Sequence, residues 1–434
     1  MCGISGFWTR EADRSAEALT RCVEAMTDRL VHRGPDDHGT WIDASASIAL
    51  GQRRLSIVDL SPAGHQPMHS ASGRYVIVFN GEIYNHRELR AQLDARALLK
   101  LRGHSDTEVL LAAIDAWGLD AALVATVGMF AFALWDRQDR RLTLARDRLG
   151  EKPLYYGRVG AGLAFASELK AIRALTPTAP AVDDDAVVLF LRHGYVPAPF
   201  CIYRGFRKIE PGCYETFQAP DRPPTATRYW SALEAARRGL ATPLPGSEEE
   251  LTERLDQLLR ASVRGQMVAD VPVGAFLSGG IDSSTVTALM QAESARPVRT
   301  FSIGFHEDQY NEAHHAAEVA RHLHTDHTEL YVTAQQALDV IPRLPAMYDE
   351  PFSDSSQMPT HLVCAMARRH VTVALSGDGG DELFGGYNRY LVGEAAWRRL
   401  RRIPPTIGAL AAAVIDGVGE TRWNRLAANA SAMR

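Results

Sequence analysis

Cysteine is scarce in this 434-residue chain, which contains five cysteines. They are scattered along the chain, they are odd in number, and no two of them form a CxxC pair. A disulfide framework and a zinc site built on cysteine pairs are therefore both disfavoured. This usage is typical of a protein of the reducing cytoplasm.

Long hydrophobic runs are also lacking. The longest run late in the chain, residues 407–415, has about half of the length that a membrane-spanning helix requires. The N-terminus has no basic region followed by an apolar core, so it does not resemble a signal peptide. The formal net charge of -5 gives no general attraction for nucleic acid or for an anionic membrane. We expect small-molecule substrates as partners, and the sequence leaves a homodimer open.

The composition, 46% hydrophobic and 23% charged, is typical of folded globular chains, and the length predicts two or three domains. Residues 1–215 contain short β-type runs such as 75–84. Residues 105–118 have apolar side chains at helical spacing, and Ser105 with Glu108 has the pattern of a capping box. Strands grouped with few helices between them indicate an α+β layered domain.

Proline, glycine and serine are concentrated in residues 216–250, where apolar periodicity is weak, so we predict a linker there. Residues 251–434 then alternate strand, loop and helix, which predicts a Rossmann-like α/β domain with a parallel sheet. Ligands bind such sheets at the carboxyl ends of the strands. Two glycine-rich loops, 277–284 and 375–390, are expected at that edge.

The first of these loops, "LSGGIDSS" (277–284), follows an apolar strand and opens a helix. Its two glycines let the backbone approach a bound anion, and the amides at the helix start favour phosphate. Asp282 is repelled by phosphate unless a cation lies between them, so the loop predicts pyrophosphate with Mg²⁺. Taken alone, it also fits an ordinary glycine-rich turn. The second loop, "LSGDGGDELFGGYNRY" (375–390), adds three carboxylates and favours the ligand-binding interpretation.

These two loops together resemble the synthetase domain of glutamine-dependent asparagine synthetases, a branch of the ATP pyrophosphatase family. The resemblance implies that ATP and Mg²⁺ bind and that a carboxylate is activated by adenylation. It implies Mg²⁺ ligands at Asp282 and Asp381, and ATP contacts at Leu277, Ile303, Ser376 and Gly377. It assigns the pyrophosphate to Ser278, Gly279, Gly280 and Ser283.

Two departures from the family pattern concern the acceptor and the end of the chain. Asp378, which the resemblance implies is catalytic, stands where bacterial asparagine synthetases carry Glu. The form "GDGGDELFGGYNRY" is more similar to family members associated with bacterial polysaccharide clusters. The family's synthetase domain also continues past the position of Arg434 and supplies later basic residues, so we expect the domain at 251–434 to be incomplete.

At the other end, "MCGISGF" places Cys2 directly after Met1. If Met1 is removed, Cys2 carries both a thiol and a free α-amine, whose ordinary pKa of about 7.7–8.0 lets it act as the base for its own thiol. Such chemistry requires donors for an oxyanion. Asn80, with the backbone amide of Gly81, is a candidate pair of donors.

Recognition of a free amino acid requires two further charges. Arg54 offers a planar guanidinium for an α-carboxylate, and Asp106 offers a carboxylate for an α-ammonium group. A site that holds carboxylate, ammonium and amide is a glutamine site. Each residue also fits an ordinary structural role: a small buried residue for Cys2, a hairpin turn for Asn80 and Gly81, a helix cap for Asp106 and a surface ion pair for Arg54.

Five motifs in order, "MCGISGF", "HRGPDD", "RRLSIVD", "NGEIYNH" and "SDTE", resemble the class II glutamine amidotransferase domain, which has an N-terminal nucleophile. The resemblance implies an N-terminal-nucleophile sandwich of two antiparallel sheets between helix layers. It implies that Cys2 attacks glutamine in a pocket lined by Arg54, Ile57, Val58, Asn80, Gly81, Glu82 and Asp106.

The combined expectation is an ATP-dependent amidotransferase. Glutamine hydrolysis at Cys2 would supply ammonia to an adenylated carboxylate. The expected acceptor is aspartate, and the products would be asparagine, glutamate, AMP and pyrophosphate. Two alternatives stay open. The acceptor is a uronic acid of a surface polysaccharide precursor, or the chain is an uncoupled glutaminase with a non-catalytic nucleotide-binding module.

Overall fold

The computed structural model of the protein describes residues 1–10, 15–96, 101–176, 178–306 and 313–418. Helices and strands are numbered in chain order. The chain forms two compact units, Met1–Ser376 and Gly377–Arg434, and each is described by itself.

Six antiparallel strands form the first sheet of the larger unit. They are β1 (Gly3–Thr9), β2 (Asp37–Asp43), β3 (Ile48–Arg54), β8 (Tyr155–Val159), β9 (Gly162–Ala166) and β10 (Phe206–Lys208). Their spatial order is β10-β8-β9-β1-β3-β2. Strand β1 pairs with β3 on one side and β9 on the other, and all its residues are buried. Cys2 therefore lies immediately before a fully buried internal strand.

The second sheet is also antiparallel. Its strands are β4 (Met68–His69), β5 (Tyr75–Ile83), β6 (Gly128–Asp136), β7 (Arg141–Arg146), β11 (Cys213–Phe217) and β12 (Thr225–Arg228), in the order β12-β11-β7-β6-β5-β4. The strand predicted at 75–84 is confirmed as β5. Val76 and Val78 contribute to one hydrophobic cluster, and Ile77 and Phe79 to another, because successive side chains of a strand point to opposite faces.

Helices cover the outer face of each sheet. Against the first sheet pack α1 (Ala16–Asp28), α5 (Leu169–Arg173) and α6 (Asp184–His193); against the second pack α2 (His86–Asp94), α3 (Asp106–Trp117) and α4 (Leu119–Ala125). A third cluster lies between the sheets, where the rings of Trp8 and Trp135 meet edge to face with centroids 5.1 Å apart. The predicted sandwich of two antiparallel sheets between helix layers is confirmed.

Helix α3 confirms the helix predicted at 105–118. Ser105 is its N-cap, and its Oγ accepts a hydrogen bond from the Glu108 backbone N–H at 3.2 Å. The reciprocal half of the predicted capping box is wrong, because the Glu108 carboxylate accepts hydrogen bonds from the backbone N–H groups of Arg102 and Gly103 instead. Glu108 thereby stabilises the loop before the helix rather than the cap itself.

The inter-sheet core gives a stability prediction at Trp135. This ring is fully buried, and its Nε1–H has no hydrogen-bond partner among the described residues. Trp135→Ala should lower the free energy of unfolding by about 3–5 kcal/mol, since it leaves a large cavity. Trp135→Phe should cost far less, because it keeps most of the packing and removes an unsatisfied donor. Urea denaturation followed by circular dichroism measures both; equal losses for the two variants would contradict this account.

A parallel sheet follows in the same unit. It consists of β13 (Val273–Phe276), β14 (Arg299–Phe305), β15 (Asp326–Val332) and β16 (Val373–Leu375), in the order β15-β14-β13-β16. The helices of this region are α7 (Ala232–Ala241), α8 (Glu248–Gln266), α9 (Ile281–Glu293), α10 (Ala313–Leu323), α11 (Ala334–Leu338), α12 (Leu344–Met347) and α13 (Gln357–Ala367). The predicted parallel-sheet α/β architecture is confirmed. Residues 307–312 and 419–434 of the expected domain at 251–434 lie outside the described residues.

The residues predicted as a linker, 216–250, contain regular structure. Strand β12 pairs with β11 and extends the second antiparallel sheet to Arg228, and α7 follows. None of the five cysteines, all of which lie within the described residues, forms a disulfide bond.

The smaller unit contains α14 (Gly380–Phe384), α15 (Asn388–Leu400) and α16 (Pro405–Val418). Across the described part of the chain, every helix is too short or too polar to cross a membrane.

Candidate active site

Cys2 is the first residue of the candidate site, and neighbouring strands fix its position. Its Sγ accepts a hydrogen bond from the Leu55 backbone N–H at 3.4 Å and donates to the Leu55 carbonyl oxygen at 3.6 Å. Its own carbonyl oxygen accepts a hydrogen bond from Arg33 Nε at 2.8 Å. Both the thiol and the backbone of Cys2 are therefore held before any substrate binds.

The thiol lies beside a cavity of about 40 Å³ in the first half of the chain. The cavity is lined by all the residues predicted for the glutamine pocket, namely Cys2, Arg54, Ile57, Val58, Asn80, Gly81, Glu82 and Asp106. It is also lined by residues that the sequence did not predict for the pocket, namely Met1, Leu55, Gln66, Phe79, Ser105, Thr107, Met129 and Lys152. The tertiary structure thus brings together residues from motifs that are more than 100 positions apart.

Asn80 and Gly81 lie within β5, so the alternative interpretation as a hairpin turn is wrong. Asn80 is 1% exposed, yet neither its Nδ2 nor its Oδ1 has a hydrogen-bond partner among the described residues. A buried amide without a hydrogen-bond partner lowers the stability of the fold. The Asn80 side chain is therefore a donor available to a ligand. A Cβ at Gly81 would lie 2.2 Å from the Met129 carbonyl oxygen, so only glycine allows the close approach of β6 here.

Arg54, at the end of β3, is almost completely buried. One of its terminal nitrogens, NH2, donates hydrogen bonds to the carbonyl oxygens of Asp59 at 2.6 Å and Val58 at 3.3 Å. Part of the guanidinium is therefore used to shape the loop that follows β3. The rest faces the cavity, where a positive charge favours a carboxylate.

That loop, which carries Ile57 and Val58, is held by a residue from the second half of the chain. Asp270 donates its backbone N–H to the Ile57 carbonyl oxygen at 2.9 Å, and its carboxylate accepts from the Asp59 backbone N–H at 2.8 Å. The same carboxylate is 2.8 Å from Nε2 of His104, and this hydrogen bond lowers the pKa of Asp270. Sequence reasoning missed Asp270, because no local sequence pattern indicates that it forms hydrogen bonds with a loop about 210 residues earlier in the chain.

Asp106 begins α3 and is buried. Its carboxylate accepts hydrogen bonds from the backbone N–H groups of Ile83 and Thr107, each at 2.8 Å. Burial raises its pKa, while these two N–H groups and His86 oppose the shift. The N-cap of α3 is Ser105, so the alternative interpretation of Asp106 as the helix cap is wrong. The Asp106 carboxylate has structural hydrogen bonds, and it also lines the cavity, where a cationic ligand would neutralise its charge.

Glu82 lies two positions after Asn80 on β5 and is 9% exposed. Burial, reinforced by the charge of Asp106, raises its pKa from 4.5 to about 7. Lys152 and the N-terminal amine act in the opposite direction. The cavity wall therefore contains a carboxyl group that changes its protonation state near neutral pH.

The raised pKa of Glu82 predicts a pH-dependent stability. Between pH 4.5 and about 7 the folded chain keeps a proton that the unfolded chain has released, so this group lowers stability as pH rises through that window. The penalty reaches at most about 3 kcal/mol above pH 7. Glu82→Gln should remove it, and its gain in unfolding free energy should be larger at pH 8 than at pH 5. Urea denaturation at both values tests this, with the exposed Glu88→Gln as control; equal gains at both pH values would contradict it.

Lys152 is a further cavity residue that the sequence did not assign. Residues 147–152 form a turn, in which the Asp147 carboxylate accepts hydrogen bonds from the backbone N–H groups of residues 149–152. The turn also directs Lys152 into the site, where Nζ lies 3.0 Å from Met1 Sδ. Burial lowers the pKa of this ammonium group.

The pKa directions at the N-terminus explain why the nucleophile requires a base. Burial raises the pKa of the Cys2 thiol, so the thiol keeps its proton at neutral pH. Burial also lowers the pKa of the Met1 amine to about 6, with Arg33 and Lys152 acting in the same direction. A free amine in these surroundings is therefore mostly neutral at pH 7.

Four of the residues predicted to bind ATP lie at one edge of the parallel sheet. Leu277 and Ser278 follow β13, Ile303 is near the end of β14, and Ser376 follows β16. Because these three strands are adjacent and parallel, their carboxyl ends meet. The expectation that these residues share the carboxyl edge of the sheet is confirmed.

The loop between β13 and α9 is shaped for an anion. Gly279 has a φ of +83°, and a Cβ there would lie 2.8 Å from the Ala316 backbone nitrogen. Gly280 is the N-cap of α9 and provides no side-chain cap, so the first amides of the helix are available to a ligand. The hydroxyls of Ser278 and Ser283 are 2.9 Å apart, and Ser284 Oγ has no partner among the described residues.

These features fit the phosphates of ATP, and Asp282, in the first turn of α9, would be one carboxylate ligand for Mg²⁺. Among the described residues, no group of three or more His, Cys, Asp or Glu side chains is placed to hold a metal ion. Gly377, Asp378 and Asp381 belong to the smaller unit, where Asp381 lies in the first turn of α14.

Known protein families match both halves of the chain. Residues 1–230 match the glutamine amidotransferase domain family, and residues 254–434 match the asparagine synthase family. Glutamine-hydrolysing asparagine synthetase 1 of Bacillus subtilis is 36% identical over 90% of this chain and 59% of its own length. A Methanocaldococcus jannaschii protein assigned to the same group is 37% identical over 91% of this chain and 77% of its own length. A Gibberella zeae protein named amidase chry2 is 33% identical over 90% of this chain and 60% of its own length.

Several of these relatives are considerably longer than this chain, which spans 59% of the Bacillus protein. The similarity nevertheless extends through both halves of the chain, and both family models match in the order expected from the motifs. The chain belongs to the glutamine-hydrolysing asparagine synthetase family.

Proposed function

We propose that the chain hydrolyses glutamine at Cys2 once Met1 has been removed. The observation that carries this proposal is the Asn80 amide, which is buried in the wall of the cavity that Cys2 also lines and has no hydrogen-bond partner among the described residues. In the first step the α-amine of Cys2 takes the thiol proton and Sγ bonds to the amide carbon of glutamine. The carbon–nitrogen bond then breaks, ammonia leaves with a proton returned by the amine, and water hydrolyses the thioester to glutamate.

Each pocket residue has a role in this step. The Asn80 Nδ2 and the Gly81 N–H stabilise the oxyanion that forms on the amide carbonyl. Arg54 binds the α-carboxylate, and Asp106 binds the α-ammonium group. Ile57, Val58 and Glu82 complete the wall around the substrate.

We assign the second half to activation of a carboxylate by ATP. Leu277, Ile303, Ser376 and Gly377 would contact ATP, and Ser278, Gly279, Gly280 and Ser283 would hold its pyrophosphate portion. Asp282 and Asp381 would hold Mg²⁺, which neutralises phosphate charge when bound. Asp378 would act on the acceptor. With aspartate as acceptor, ammonia displaces AMP from the aspartyl adenylate to give asparagine.

A second candidate keeps this chemistry and changes the acceptor. It is favoured by Asp378, whose side chain is one methylene shorter than the glutamate of the family pattern, and by a relative named as an amidase. The acceptor is then a larger acid, such as a uronic acid of a polysaccharide precursor.

Two assays test the proposal. Glutamate release from glutamine, measured without ATP, tests the first half alone. Exchange of labelled pyrophosphate into ATP, measured with aspartate and separately with a uronic acid, identifies the acceptor. Exchange with aspartate supports the first candidate, and exchange with only the sugar acid supports the second. Glutamate release without exchange for any acid would leave the chain as a glutaminase only.

A further inference from the structure

A line of charged side chains connects the backbone of Cys2 to the second half of the chain. Arg33 donates through Nε to the Cys2 carbonyl oxygen at 2.8 Å and through NH1 to Glu168 at 2.8 Å. Glu168 then accepts from Lys170 Nζ at 2.6 Å. Lys170 Nζ in turn lies 3.5 Å from a carboxylate oxygen of Asp349.

This charged line is enclosed by protein rather than exposed on the surface. The exposed fractions of the Arg33, Glu168 and Asp349 side chains are 9%, 12% and 11%, and that of Lys170 is 22%. Burial works against ionisation of Glu168, but Arg33 and Lys170 outweigh it and lower its pKa. Removing one charge from such an enclosed set leaves its neighbours uncompensated, so each member depends on the next.

Asp349 is held firmly at its end of the line. The next residue, Glu350, accepts a hydrogen bond from the Ile202 backbone N–H at 2.8 Å and from the Tyr155 hydroxyl at 3.1 Å, and it pairs with Lys208. The segment that carries Asp349 is thus anchored on the amidotransferase sandwich by a second, independent set of bonds. Asp349 itself lies in the region that matches the asparagine synthase family.

We propose that Asp349 is a positioning residue for glutamine hydrolysis at Cys2, acting through Lys170, Glu168 and Arg33. The inference rests on the proposed function of Cys2. Asp349 orients the Lys170 ammonium, which orients Glu168, and Glu168 fixes the Arg33 guanidinium that holds the Cys2 carbonyl. The orientation of the Cys2 peptide sets the direction of the thiol, and a small misplacement of a nucleophile lowers its reactivity strongly.

Asp349→Asn tests the inference in the full chain, with glutamate release measured in the absence of ATP. We expect kcat to fall about tenfold while KM for glutamine stays within about twofold, because Arg54 and Asp106 bind the substrate and contact none of the four charges. Asp349→Glu should restore most of the loss. Asp354→Asn, an exposed carboxylate of the same segment, is the matched control and should leave kcat unchanged.

Combination with Glu168→Gln separates positioning from general damage. Glu168→Gln alone should lower kcat at least as much as Asp349→Asn, and adding Asp349→Asn to it should lower kcat no further, because both changes act through Arg33. Additive losses, or a fall in kcat that only follows the fraction of folded protein in thermal denaturation, would overturn the inference. So would an unchanged kcat in Asp349→Asn. A wild-type chain without glutamate release would instead refute the proposed function.

Discussion

Glutamine hydrolysis should be absent from a chain with any residue before Cys2 and should appear when that residue is removed. Burial raises the pKa of the Cys2 thiol, so the thiol needs a base, and the proposed base is the α-amine of Cys2 itself. An amide bond at that nitrogen removes the base, so we expect glutamate release to fall by at least ~10³-fold. A protease-cleavable leader ending directly before Cys2 allows the same preparation to be assayed before and after cleavage.

Two substitutions control this experiment. Cys2→Ala should stay inactive after cleavage, because it lacks the nucleophile. Cys364→Ser, which alters an exposed cysteine elsewhere, should be as active as the unsubstituted chain. Substantial glutamate release before cleavage would show that another base serves the thiol and would refute the assigned role of the amine.

Asp106→Asn should raise KM for glutamine about 100-fold. The carboxylate is buried at the cavity wall, where the substrate's α-ammonium group would pair with it, so loss of its charge removes a desolvated ion pair. We expect kcat at saturating glutamine to change much less, because in the proposed mechanism Asn80 and Gly81 stabilise the oxyanion independently of Asp106. Steady-state kinetics of glutamate release distinguish these effects.

The control for Asp106 lies on the same helix. Asp115 also accepts a hydrogen bond from a backbone N–H, that of Ser72, but it is not part of the cavity wall. Asp115→Asn should therefore leave KM unchanged. If both variants lost stability to the same extent and KM stayed constant in each, Asp106 would be a structural residue only.

Local features of the fold could be predicted well from the sequence. Ser105 caps α3 because a serine oxygen can accept from an amide of the first turn, whatever the rest of the chain does. The run 75–84 forms a strand because its β-branched and aromatic side chains fill both faces of a buried sheet. The glycines of 277–284 indicate a tight turn after a strand, and Gly279 indeed has a positive φ.

Partners at long range could not be predicted in this way. Nothing near Lys152 in the chain indicates that a turn organised by Asp147 directs it toward the N-terminus. The sequence around Asp270 and around Asp349 shows only an aspartate in a loop and no motif that indicates a role. Their roles depend on which backbone groups and charges face them after the sheets have packed.

The sequence by itself determined the order of the motifs, the two kinds of sheet and the chemical groups available for glutamine and ATP, because these follow from residue type and short spacing. Only the tertiary structure decided which side chains and loops come into contact. It left the Asn80 amide unpartnered beside Cys2 and brought Asp270 to the loop of Ile57. It also joined Cys2 to Asp349 through three enclosed charges. Such contacts depend on how helices and strands that are far apart in the sequence pack together, and short-range sequence patterns carry no information about that packing.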